Sequence, residues 1–66
     1  MRELTTSDIA KNIDERVYGL HAERNRAILK RRFIDGICFE PLAEEFEMSV
    51  RQVKNIVAKH RDKVFR

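Results

Sequence analysis

Cysteine is nearly absent from this chain, and its one example, Cys38, has no partner for an internal disulfide or a multi-cysteine zinc site. One proline and two glycines supply too few turn-formers for an all-β fold. Apolar runs are short, and none approaches the roughly 20 residues that a membrane-spanning helix needs. No apolar stretch follows the initial methionine, so a secretory signal is not expected and the expected compartment is a reducing cytoplasm. Histidines are two, His21 and His60, and neither has a second ligand at metal spacing. No metal and no cofactor is therefore expected. With 66 residues there is room for a single domain, 1–66. A domain of that size has a net stability of about 3–5 kcal/mol. A deep catalytic cavity would remove much of its core, so an enzyme is not expected.

What is present suits a folded, helix-rich chain: 42% of residues are hydrophobic and 38% charged, a balance unlike that of a disordered segment. The charge is unevenly placed. Residues 1–20 carry a net −1, 21–36 carry +3, 37–48 carry −4 and 49–66 carry +5. A basic block at one end of a short domain is the electrostatic footprint of a phosphate binder, although a solvated helix face gives the same pattern.

Local signals place four helices. Thr5 and Asp8 have the spacing of a capping box, with Leu4 and Ile9 placed as a hydrophobic staple. Ile9, Ile13 and Val17 recur at four residues and share a face. Gly19 is expected to stop this helix, with Leu20 packing back on it. A second helix over roughly 22–35 carries Ala22, Leu29 and Phe33 on one stripe and Arg24, Arg31 and Asp35 on its wet side, and ends at Gly36. A short third helix, about 40–47, has Pro41 in its first turn and buries Leu42, Ala43 and Phe46. The fourth, 49–62, opens on a second capping box, Ser49 with Gln52, and a second staple, Met48 with Val53. Its core face is Val53, Ile56, Val57, His60 and Val64, and its free face is Arg51, Lys54, Asn55, Ala58 and Asp62. Val53, Ile56, Phe46, Leu42 and Leu29 are expected among the most buried residues, with His60 a packed core residue and Cys38 a buried or half-buried thiol.

Only two residues lie between Phe46 and Ser49, and so short a link predicts a sharp turn between the last two helices, a helix-turn-helix over about 40–61. The expected architecture is all-α, a small bundle of three to four helices. The stretch 31–57, RRFIDGICFEPLAEEFEMSVRQVKNIV, resembles the fourth conserved region of bacterial sigma factors and related small phage and bacterial transcription regulators. The likeness runs over about 22–61. It rests on Gly36 after the preceding helix, on the Leu42-Ala43 pair, and on Ser49-Val50-Arg51-Gln52-Val53 at the start of the recognition helix. The chain departs from the family at Glu47, where glycine is usual in the turn, at Cys38, where Ser or Thr caps the helix, and at Pro41, which replaces an acidic residue. A chain of 66 residues has no space for the remaining sigma regions, so a complete sigma factor is not expected.

The resemblance implies binding to double-stranded DNA and contact with RNA polymerase. The residues expected at DNA are Ser49, Arg51, Gln52, Lys54, Asn55, Lys59 and Lys63, with Arg31 and Arg32 from the second helix. Arg and Asn read guanine and adenine by paired hydrogen bonds in the major groove. Arg61 and Arg66 are further candidates for phosphate. A homodimer through the first helix or another exposed apolar surface would raise the number of phosphates touched. The competing reading is a protein-interaction module that binds RNA polymerase or another regulator without contacting DNA. RNA binding has less behind it, because no aromatic residues interleave with the basic ones.

Overall fold

A computed structural model describes residues 4–65. Helix α1 spans Thr6–Arg16, α2 Ala22–Phe33, α3 Phe39–Glu45 and α4 Val50–Val64, and the described residues include no strand. Helices α2 and α4 pack on each other, α1 lies against both, and α3 lies against both without touching α1. The all-α expectation holds with four helices.

Both capping boxes form. The Thr5 hydroxyl accepts from the Asp8 amide at 3.1 Å while the Asp8 carboxylate accepts from the Thr5 amide at 3.2 Å. Ser49 and Gln52 do the same at the start of α4, both at 3.1 Å. Each box satisfies two of the amides that a helix start leaves unpaired.

Helix α1 ends three residues before Gly19. Val17 turns extended (φ −101°, ψ 108°), and its carbonyl accepts from the Arg26 guanidinium at 2.6 Å. Gly19 does take positive φ, 98°, but Leu20 is 85% exposed, so it does not pack back as expected. At Gly36, with φ 71°, the expectation holds better: the Ile37 amide reaches the Arg31 carbonyl at 3.2 Å, and Ile37 packs against the core.

The α3–α4 turn is a Schellman motif. The Met48 amide donates to the Ala43 carbonyl at 2.8 Å, and the Glu47 amide to the Glu44 carbonyl at 3.2 Å. Glu47 sits between them with φ 53°, the left-handed position that usually belongs to glycine. Met48 then packs against the core. Cys38 caps α3 without a side-chain hydrogen bond and is exposed, which corrects the buried or half-buried thiol expected there.

The core is Ile13 and Val17 from α1, Ile28 and Leu29 from α2, Leu42 and Ala43 from α3, and Val53, Val57 and Val64 from α4. Leu29, Leu42 and Val53 are fully buried as expected. Ile56 and Phe46 are only partly buried, because α4 is turned so that Val57, not Ile56, lies over the centre. Two polar side chains of α1 tie it to the far end of α4: Asn12 Nδ2 donates to the Val64 carbonyl and an Arg16 guanidinium nitrogen to the Lys63 carbonyl, both at 2.8 Å. They satisfy carbonyls that the last turn of a helix leaves without an internal partner.

Candidate nucleic-acid interface

Helix α4 has two unlike sides. Val53, Val57, His60 and Val64 are buried, while Arg51, Lys54, Asn55, Ala58, Lys59, Arg61, Asp62 and Lys63 are all exposed. The cause is the 3.6-residue period: four buried positions within one stripe leave the opposite positions to solvent. Arg51 and Asn55 are four residues apart and so stack on one face, close to the start of the helix. Neither makes a side-chain hydrogen bond or ion pair among the described residues, so both planar groups are available to a ligand.

Most of the other expected contact residues on α4 have prior engagements. Ser49 and Gln52 are exposed, but their side chains close the capping box, where the Gln52 carbonyl oxygen accepts from both the Ser49 amide and, at 3.3 Å, the Ser49 hydroxyl. Only the Gln52 amide nitrogen is left to face outward. Lys54 places its Nζ 5.7 Å from the Phe39 ring centroid. Lys63 places its Nζ 5.9 Å from the ring of Tyr18. Lys59 is exposed on the flank of α4. Arg66 lies outside the described residues.

Arg31 and Arg32 stand apart from this face. Arg31 is on the wet side of α2 as expected, its side chain 42% exposed, but it is not free: it bridges Glu45 at 2.7 Å and Asp35 at 3.5 Å. The hydrogen bond and charge of Glu45 raise its pKa above the ordinary guanidinium value. Arg32 donates to the Ile37 carbonyl at 3.1 Å and lies 4.3 Å over the Phe39 ring. The Arg31–Asp35 pair has helical i,i+4 spacing, but the bonds to Glu45, Ile37 and Phe39 were hidden from sequence reasoning because those partners sit in α3 or in a loop. The acidic stretch supplies Glu40, Glu44, Glu45 and Glu47, all exposed, with Glu45 held by Arg31.

His60 is buried, as expected for a packed core residue. Burial, and then the charges of Lys63 and Lys59, hold its pKa below the ordinary imidazole value. Its Nδ1 has no hydrogen-bond partner among the described residues. Among the described residues no three His, Cys, Asp or Glu side chains are grouped to hold a metal ion. No helix of the described residues is long and apolar enough to cross a membrane. Comparison with protein-family models, with curated proteins and with solved structures finds no match to this chain.

Proposed function

We propose that this chain is a sequence-specific DNA-binding transcription regulator that reads the major groove with α4. The observation that carries this reading is the exposed pair Arg51 and Asn55, unpaired and stacked near the start of a helix whose opposite side is locked into the core. A guanidinium and a carboxamide at that spacing suit two neighbouring base edges, each bidentate contact giving roughly 1–3 kcal/mol of discrimination. Lys59 and Lys63 suit phosphates on either side, and the resemblance to the fourth region of sigma factors adds RNA polymerase as a partner. Arg31 and Arg32 carry less weight, since phosphate would have to displace Glu45 or the Ile37 carbonyl.

Binding profiles over a randomised duplex pool test the reading. Arg51→Ala and Asn55→Ala should each relax preference at one base position. Lys59→Ala should weaken all sequences evenly and lower the salt slope by about one. Unchanged affinity and preference in all three variants would eliminate the α4 face. A second reading, a protein-interaction module without DNA contact, is favoured by Tyr18 and Leu20, which are 74% and 85% exposed two positions apart in the α1–α2 loop. The same pair is the candidate surface for a homodimer, and sedimentation of Leu20→Ser against the parent would reveal it.

A further inference from the structure

On another side of the molecule the end of α2, the start of α3 and the last turns of α4 enclose a cleft of about 520 Å³, lined by Arg32, Phe33, Phe39, Val57, Arg61 and Phe65. Its floor is aromatic. The rings of Phe33 and Phe65 meet edge to face, with centroids 4.9 Å apart and planes at 84°. Phe65 is nevertheless 43% exposed, so this apolar surface is left wet. Its rim is cationic. Arg32 is fixed over Phe39 by its bond to the Ile37 carbonyl, which leaves its remaining nitrogens to donate elsewhere. Arg61 is exposed and makes no side-chain hydrogen bond or ion pair among the described residues. Among the described residues no carboxylate lines the cleft.

The two halves of this surface ask for different things. Guanidinium groups favour carboxylate or phosphate, with which they form two parallel hydrogen bonds. Wet phenylalanine favours an apolar group, at about 25 cal/mol for each Å² removed from water. A sugar-phosphate backbone would meet the first demand and leave the second unmet, because it has no apolar side chain to insert between the rings. A neutral apolar peptide would meet the second and leave the arginines beside a dry contact, at a desolvation cost. A single segment meets both if it alternates large apolar side chains with carboxylates.

We infer that this cleft is a docking site for an acidic, amphipathic peptide segment of a partner protein. One or two large apolar side chains of the segment sit against Phe33, Phe39 and Phe65, and its carboxylates pair with Arg61 and Arg32. At 100° per residue Arg61 lies about 120° around α4 from Asn55. It lies only about 80° from Arg51 and about 20° from Lys54, whose Nζ is itself 5.7 Å from the Phe39 ring, so the docking side adjoins the face proposed for DNA; the inference does not rest on that proposal.

The test uses a library of random twelve-residue peptides displayed on phage, selected on the full chain. Enriched peptides are synthesised with a fluorescent label and titrated against the parent, Arg61→Glu, Arg61→Gln and Phe65→Ser, each checked for an unchanged melting temperature. Enrichment of Asp and Glu between Leu and Phe is expected. Affinity should fall about tenfold or more in Arg61→Glu, consistent with loss and reversal of a charge-assisted contact, and by less in Arg61→Gln. Amide chemical-shift changes on adding peptide should centre on Phe33, Phe39, Val57 and Phe65. Failure to enrich any peptide would overturn the inference. So would peptides without acidic excess, equal binding to Arg61→Glu, or shifts centred on Arg51 and Asn55. A duplex DNA that displaces the peptide and shifts the cleft residues first would assign the cleft to nucleic acid and overturn it as well.

Discussion

Replacing Glu47 with glycine should make the protein more stable. Glu47 occupies the left-handed position of the α3–α4 turn with φ 53°, between the two hydrogen bonds that close the end of α3. For a residue with a Cβ that conformation costs about 1–2 kcal/mol, which glycine does not incur. Glycine also has more freedom in the unfolded chain, and that offsets about 0.4–1 kcal/mol. The difference spans about 0–1.6 kcal/mol, with a central gain of about 0.5–1 kcal/mol. For a domain of this size it raises the melting temperature by about 2–8 °C. Thermal unfolding followed by circular dichroism measures it directly. Two companions separate the causes. Glu47→Gln removes the negative charge that sits unfavourably at a helix C-terminus but keeps the Cβ, so it should recover only a small part of the gain. Glu47→Val keeps the Cβ and branches it, so it should melt below the parent. A Glu47→Gly protein that melts at or below the parent temperature would refute the argument, because it would mean that the left-handed turn stores no strain.

Leu29→Ala should cost about 2–5 kcal/mol, since Leu29 is fully buried, whereas Ile56→Ala should cost less than about 2 kcal/mol because Ile56 is only partly buried. Equal costs in urea unfolding would place Ile56 back in the core. His60, with its pKa depressed in the folded state, makes the unfolded chain the stronger proton binder below the ordinary imidazole value. Its contribution to stability is therefore complete above about pH 6.5 and declines as pH falls toward the depressed folded value. Melting temperatures across that window should drop for the parent and stay flatter for His60→Phe; parallel curves would contradict the assignment. Asn12→Ala removes the bond to the Val64 carbonyl and should cost about 1 kcal/mol. Amide hydrogen exchange should then accelerate most in the last turn of α4, and uniform acceleration along the helix would show that the tie is not local.

The features that the sequence made legible are those set by neighbours three or four residues apart. Thr5 with Asp8, and Ser49 with Gln52, are recognisable because a capping box is complete within one turn. The free face of α4 is likewise legible, because burial of Val53, Val57, His60 and Val64 dictates by period which residues stay outside. What escaped reading depends on partners distant in the chain. The end of α1 is fixed by Arg26 taking the Val17 carbonyl, so Gly19 was a misleading stop. Arg31 and Arg32 read as free cations until α3 brings Glu45 and Phe39 beside them. Ile56 and Val57 are about 100° apart on the helical wheel, at opposite edges of the apolar stripe, and only the rotation of α4 against its neighbours decides which lies deeper.

Side chains hold main-chain carbonyls at the C-terminal ends of α1 and α4 and in the α2–α3 loop: Asn12 to Val64, Arg16 to Lys63, Arg26 to Val17 and Arg32 to Ile37. Every amino acid supplies such a carbonyl, so these links restrict one partner and leave the other free to drift. As relatives diverge from this sequence, these bonds place no demand on the side chains of residues 63 and 64, while they hold Asn12 and Arg16 constant. Statistical methods that infer proximity from paired substitutions would then detect nothing between α1 and the end of α4. The history of that junction should be written in single constant positions rather than in correlated pairs. An arginine that stays fixed on this surface is thus as much a sign of a carbonyl it holds within the chain as of a phosphate it meets outside.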